Sequence, residues 1–535
     1  MGRTPLFNRL LETLRTAASS RPAPEAVDAA QASVSRRNVL KVGGAAAAMI
    51  ATPRLLTACA PVEDGDTLGS KSSAASTANI GIVGAGIAGL ACATDLERRG
   101  VIATIHEAST RSGGRIYSSM NDPVWGQAFE RGGEFIDTPH KTMIGYARGL
   151  GLQLEDVAKP ARETHFYFKG QAVAEATLVE EYRVLVDAMR DDLRTLGSPT
   201  ADVNNPADRA LDRISLSEYL TTRGAAPTIK ALLENAYDIE YGLEASKITC
   251  LAFLFFAKAS RQSKLRLFGN FSDERFHVVG GNQQITDGLA ARLAGQLRYG
   301  RKLVAVKKLT DGRIELTFKE GSKTVTATHD AVVLTLPFHL LREVQLDASL
   351  QLPVWKKNAI NQTVCGNNAK LMVAFNGRPW VEADANGNVY SDLPYLQVCW
   401  ETSPSTSSAT RGILTDYTGG PLSLLQSPSS AQSDTERFLT SLDKVLPGSK
   451  ARARRDSRGR YVCHLEHWPS NPLSKGAYTA NALGYFTTIA GNEGKPVGNL
   501  YFGGETTDSF YSWQGFMEGG ALSGIRAAAE VLASL

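Results

Sequence analysis

The chain has 535 residues, too many for one ordinary core, and 43% of them are hydrophobic, as in an ordinary globular protein. Its formal charge of +4 is concentrated at one end. Residues 1–59 hold eight Lys and Arg against three Asp and Glu, which leaves −1 for the remainder. A near-neutral body argues against nucleic acid as a partner, and no later stretch is long and apolar enough for a membrane helix.

The first feature is "SRRNVLK", with Arg36 and Arg37 ahead of the apolar run "AAAAMIA" at 45–51. That run is far shorter than the roughly 20 residues a bilayer needs. It reads as the middle of a signal peptide, and the motif resembles twin-arginine signals, which address folded proteins to an export machinery. Residues 1–59 are therefore expected to be an export segment, with the body periplasmic or secreted. "LTAC" at 56–59 resembles a lipoprotein cleavage box, which would leave Cys59 lipidated and the protein tethered to a membrane. Pro53 and Arg54 interrupt the run before it, which favours cleavage and release over lipidation. Residues 60–78, small, polar and Gly/Ser-rich, read as a flexible linker.

The folded body begins at Asn79. "NIGIVGAGIAGLACATDLERRG" is a short apolar strand, a glycine turn and a helix; "VIATIHE" (101–107) is a second buried strand, completing a βαβ unit. From about 175 to 265 the pattern is helical, with a capping box expected at Ser215 and Glu218 and an interior helix at "LAFLFFA" (251–257). "GRIELTFKE" alternates behind an Asp311-Gly312 turn, and "AVVLTLP" (331–337) is a continuously apolar strand. Residues 403–412 and 426–434 read as surface loops, and a helix follows "NLYFGGE" (499–505). The six cysteines form no CxxC pair, which suggests buried single thiols and no metal site.

Gly84-x-Gly86-x-x-Gly89 follows a strand and opens a helix, and Glu107 ends the next strand. Gly84 permits the turn, Gly86 the approach of a pyrophosphate and Gly89 close helix–strand packing. The helix N-terminus, at Ile87 and Ala88, offers free N–H groups to phosphate, and Glu107 can accept ribose hydroxyls. FAD and NAD both fit. "RSGGR", Arg111 to Arg115 with Gly114 between, suits a loop lying against a dinucleotide, with Arg115 a phosphate donor.

With "ERGGEFI" (130–136) and "YFGGETTDSFYSWQGFMEGGALSGIRAAAEVL" at the C-terminus, these blocks resemble the flavin amine oxidase family of monoamine, polyamine and L-amino acid oxidases. The likeness spans roughly residues 79–535. It implies a mixed α/β and α+β fold: a discontinuous Rossmann-like FAD-binding domain (79–165, 275–345 and 460–535) interleaved with a sheet-plus-helix substrate domain (166–274 and 346–459). It implies FAD contacts at the glycine turn, Glu107, Ala108, Arg111, Gly114 and Arg115. Further contacts are implied at Gly132, Gly133, Glu134, Phe135, Leu303, Trp468, Gly504, Glu505, Gly515, Phe516 and Met517. Glu505 matches an acid near the ribityl chain. The following helix would turn its positive end to the flavin.

Lys370, in the apolar run "NNAKLMVAF", matches the family's lysine near the site of oxygen reaction; a strand here would put Lys370, Met372 and Ala374 on one face. Tyr478 and Phe516 match the two walls of an aromatic cage for the amine. Ala477 stands where monoamine oxidases carry the cysteine that binds FAD, which implies noncovalent FAD. Phe135 occupies the position of a carboxylate-binding arginine in many L-amino acid oxidases, which weakens that substrate class without removing it. Glu134 or His140 could instead favour a basic substrate, or simply pack.

The expected activity is FAD-dependent oxidative deamination of a primary amine or L-amino acid, with O2 reduced to hydrogen peroxide and Lys370 assisting the oxygen step. A flavin-dependent amino acid monooxygenase, a desaturase or porphyrinogen oxidase, and an exported flavoprotein electron carrier are the alternatives. Homodimers are common in the family.

Overall fold

The computed structural model describes residues 78–120, 122–157, 162–258, 274–508 and 513–535. The expected export segment, Cys59 and all of the linker but Ala78 lie outside these residues.

Continuously apolar strands need cover on both faces. Ile80–Val83 and Ala331–Leu334, buried at every position, lie parallel at the heart of a five-stranded sheet. Leu500–Phe502 flanks them on one side, and Ala103–His106 then Leu297–Arg298 on the other, all parallel. One sheet thus gathers strands from four distant parts of the chain. The helices Ile87–Arg98 and Met517–Ser534 pack on each other. Their contact is intimate because Gly524 faces Ala88: a Cβ at 524 would run into the Ala88 carbonyl. Glu518 reaches sideways from the last helix and accepts the Thr142 and Met143 N–H groups at 2.9 and 2.8 Å, capping the helix Lys141–Gly149.

A four-stranded sheet follows, built on Lys302–Lys308, Ile314–Glu320 and Lys323–His329 with Gln345–Leu346 at its edge. Ile314, Leu316 and Phe318 are buried as the alternation predicts, and Gly312 takes the positive φ of the turn, +89°. The third large sheet has seven strands. Asn368–Asn376 runs in it between Cys463–His467 and Arg411–Gly419. Ala369, Leu371, Val373 and Phe375 face the helix Ala431–Val445, while Met372 and Ala374 pack with Trp125 and Phe129. By strand pairing this sheet includes Glu163–Phe168 and Cys463–His467. It therefore begins just before the expected boundary at 166 and extends past the one at 459.

The helices Glu175–Thr195, Pro206–Asp212, Leu216–Thr222, Pro227–Tyr241 and Cys250–Lys258 form a layer beside that sheet. Leu251, Phe253 and Leu254 are interior. Three local expectations change. Ser215 accepts the Glu218 N–H at 3.1 Å, but the reciprocal capping box forms one helix earlier, between Asn205 and Asp208. The polar run at 426–434 is not all loop: its serines cap one another, Ser427 with Ser430, and launch a helix at Ala431. Short hydroxyl side chains that compete with a helix interior favour its start. Cys92, Cys250 and Cys399 are buried free thiols, whereas Cys365 and Cys463 are half-buried.

Candidate active site

The glycine turn is built by close approach. Gly84, at φ +108°, donates its N–H to the His106 carbonyl at 2.8 Å and so clamps the first two strands. A Cβ on Gly89 would strike the Gly84 carbonyl, so Gly89 packs helix on strand and does not line the cavity described next. Gly86 is the N-cap of its helix with no side-chain cap, and no described atom lies within 4 Å of where its Cβ would stand. This leaves an open cradle at a free helix N-terminus. The RSGGR loop lies against it, with Gly113 donating to the Ala85 carbonyl at 2.8 Å. Arg111 braces that loop from within, donating to the carbonyls of Ser112 and Gly114 at 2.9 and 2.6 Å and stacking on Tyr117 at 3.8 Å. Glu107 accepts the Ala85 and Ser109 N–H groups, both at 2.7 Å.

From this cradle a cavity of about 480 Å3 extends to Lys370, Trp400 and Tyr417. Every residue named above for FAD or substrate lines it except Gly89 and His140, including Ile87, Ala88, Ala108 and Leu303. Arg115, expected to face phosphate, gives Nη1 to the Ala477 carbonyl at 2.7 Å and to Glu505 at 2.9 Å. Glu505 also accepts the Gly515 N–H at 2.9 Å. Trp468 donates its indole N–H to the Arg131 carbonyl at 3.1 Å, fixing the Gly132–Gly133 wall. Gly504, Gly515 and Met517 close the cavity at the start of the last helix, whose N-cap, Phe516, makes no side-chain cap.

At the far end Lys370 is buried, 3% exposed. Its ammonium donates to Glu134 at 2.6 Å and to the Gly132 carbonyl at 3.1 Å. Trp400 donates Nε1–H to the second Glu134 oxygen at 3.0 Å. Phe135, Trp400 and Tyr417 touch in sequence, ring centroids 5.6 and 5.7 Å apart. The Tyr417 and Tyr478 hydroxyls lie 2.8 Å from each other. Phe516 meets the His140 ring edge-on at 5.2 Å. Trp400 and Tyr417 carry no sequence motif. Tyr417 enters because it stands opposite Lys370 on the neighbouring strand, a pairing that sequence spacing does not reveal. His140 does not line the cavity; burial holds its imidazole pKa well below the usual range. His106, in the cavity wall near Glu107, is likewise kept neutral, its pKa pulled down to about 3 by burial and by His329 and Arg301.

Two helix N-termini without side-chain caps, one beside an open glycine cradle, make this cavity a fit for an anionic dinucleotide. The sequence model of the flavin containing amine oxidoreductase family matches residues 87–532. The chain belongs to that family. It is a flavin-containing amine oxidase, and FAD is its cofactor. The flavin-containing amine oxidase B of Sus scrofa is 23% identical over 475 residues, covering 85% of this chain and 86% of that one. Among solved structures, a putrescine oxidase bound to putrescine superposes with a TM-score of 0.71 at 21% identity. The cyclohexylamine oxidase of Brevibacterium oxydans IH-35A gives 0.72 at 19%. Each alignment covers 85% of this chain and 99% of the other. This amine oxidase shares their mixed α/β architecture. Ala477 offers no thiol beside Tyr478, in keeping with noncovalent FAD.

Proposed function

We propose that this enzyme oxidises primary amines bearing an aryl or alkyl group: amine, O2 and water become aldehyde, ammonia and hydrogen peroxide. The observation that carries the reading is the aromatic wall Phe135–Trp400–Tyr417–Tyr478 beside the buried Lys370–Glu134 pair. Bound FAD supplies a two-electron acceptor for the hydride equivalent leaving the amine Cα, and O2 takes both electrons onward.

The chain's own residues do the rest. The aromatic wall excludes water and favours the neutral amine over its ammonium form. The N-terminus of Met517–Ser534 directs positive potential into the cavity. Gly86, Gly114 and the free N–H groups at the start of Ile87–Arg98 would hold the pyrophosphate, and Glu107 would accept ribose hydroxyls. Lys370 holds a fixed positive charge where negative charge develops on oxygen. Phe135 supplies no cation for a substrate carboxylate, and both oxygens of Glu134 are engaged, which favours monoamines over amino acids and diamines.

An anaerobic screen of monoamines, diamines and L-amino acids for bleaching of the flavin band, followed by peroxide assay in air, tests this. Bleaching by arylalkylamines or alkylamines is expected; bleaching by L-amino acids alone would sink the substrate class. We further propose that the enzyme leaves the cytoplasm already folded by the twin-arginine route. A cavity built from Gly84 to Met517 can take FAD only after both chain ends have assembled.

A further inference from the structure

In the scheme above Glu134 only neutralises Lys370 and withholds its carboxylate from a second substrate amine, yet its surroundings are more specific than those tasks need. Its backbone is pinned: Asn282 Nδ2 donates to the Glu134 carbonyl at 2.6 Å and to the Gly133 carbonyl at 3.1 Å. The preceding turn lies close against the Arg115 carbonyl, which a Cβ on Gly132 would run into and which accepts the Gly133 N–H at 3.0 Å. Its carboxylate is held from two sides, by Trp400 on one oxygen and Lys370 on the other, and the side chain is 6% exposed.

Two of the three Lys370 N–H donors therefore find acceptors on one rigid segment, the Gly132 carbonyl and the Glu134 carboxylate. A free lysine stem is rich in rotamer freedom. Here that freedom is removed, and the third N–H is left in a defined direction within the cavity.

We propose that Glu134 is the positioning residue that aims the Lys370 ammonium, with Trp400 as the clamp that stops the carboxylate from swinging away. The inference rests on the role given to Lys370 in the proposed reaction. Charge neutralisation alone would make Glu134 matter to stability. Positioning makes it matter to the oxygen half-reaction as well.

The test uses holoenzyme photoreduced without any amine and then mixed with O2, so it does not depend on the substrate. Glu134→Gln should slow reoxidation between about tenfold and a hundredfold, the size of effect a misplacement near 1 Å produces. Trp400→Phe should slow it less, by about two- to fivefold. Glu134→Gln should add nothing in a Lys370→Met background. Each of Glu134→Gln and Lys370→Met should lower the thermal midpoint of the holoenzyme, and the double variant should recover most of that loss, because no unpaired buried charge remains. Reoxidation at the wild-type rate in Glu134→Gln or in Lys370→Met would overturn the proposal, as would additive effects of the two on reoxidation. Failure of every amine to bleach the wild type would sink the substrate reading and leave these outcomes intact.

Discussion

Arg115 and Glu505, 390 residues apart in the chain, are bonded Nη1 to Oε1 at 2.9 Å, and Glu505 passes the link on to the Gly515 N–H. This joins the loop after the second strand to the start of the last helix, across the cavity wall. Glu505 is 8% exposed and Arg115 26%, so the pair is well shielded. Removing one charged partner costs about 2 kcal/mol. Arg115→Ala and Glu505→Ala should each weaken FAD retention by about thirtyfold, read as the ratio of flavin absorbance to protein absorbance after dialysis.

The two flanking glycines of the turn should fail differently. Gly86 has an ordinary φ of −73° and open space ahead of it. Gly86→Val should fold with a near-native melting curve and purify colourless, its side chain filling the pyrophosphate cradle. Gly89→Val drives a side chain into the Gly84 carbonyl and should yield insoluble or markedly destabilised protein. Equal soluble yields would contradict this assignment.

Burial pushes the Glu130 carboxyl up to about 7, against bonds from Ser118 and Asn282 that favour its charge. A carboxyl raised on folding stabilises fully below its unfolded pKa and loses that contribution as pH climbs through the folded value. Its share of stability therefore declines from about pH 4.5 to about pH 7. Glu130→Gln has no such decline. Urea titrations at pH 5 and pH 8 should show the variant gaining on the wild type with rising pH, by roughly 3 kcal/mol at most.

The Tyr417–Tyr478 hydroxyl contact at 2.8 Å holds two cavity walls together. Tyr417→Phe should raise the KM for an arylalkylamine about three- to tenfold, the value of one neutral hydrogen bond, and leave the flavin spectrum of the resting enzyme unaltered. Tyr417→Ala should lose more, because Trp400 loses its edge-on neighbour at 5.7 Å. Steady-state kinetics with one aryl and one alkyl amine would separate the ring from the hydroxyl.

The site was legible in the sequence wherever function needs a backbone that only glycine permits, or an unusual residue in an apolar run. Gly84, Gly114 and Gly504, all at positive φ, announced the cavity, Gly86 marked its open cradle, and Lys370 stood out because an unpaired lysine in a strand is costly. What was not legible was who answers each charge. Arg115 read as a phosphate donor, and its hold on Glu505 was not foreseen. Glu134 read as a cofactor contact or packing residue and proved to be Lys370's partner.

By itself, then, the sequence determined the local chemistry: the turn, the helix that begins free of a cap, the parallel-sheet strands and the blocks that mark the family. The tertiary structure decided the pairings. Trp400 and Tyr417 join the amine end only because Leu396–Glu401, Arg411–Gly419 and Asn368–Asn376 lie side by side in one sheet. Strand order and register come from how distant segments bury their apolar faces together, and no spacing along one chain records that.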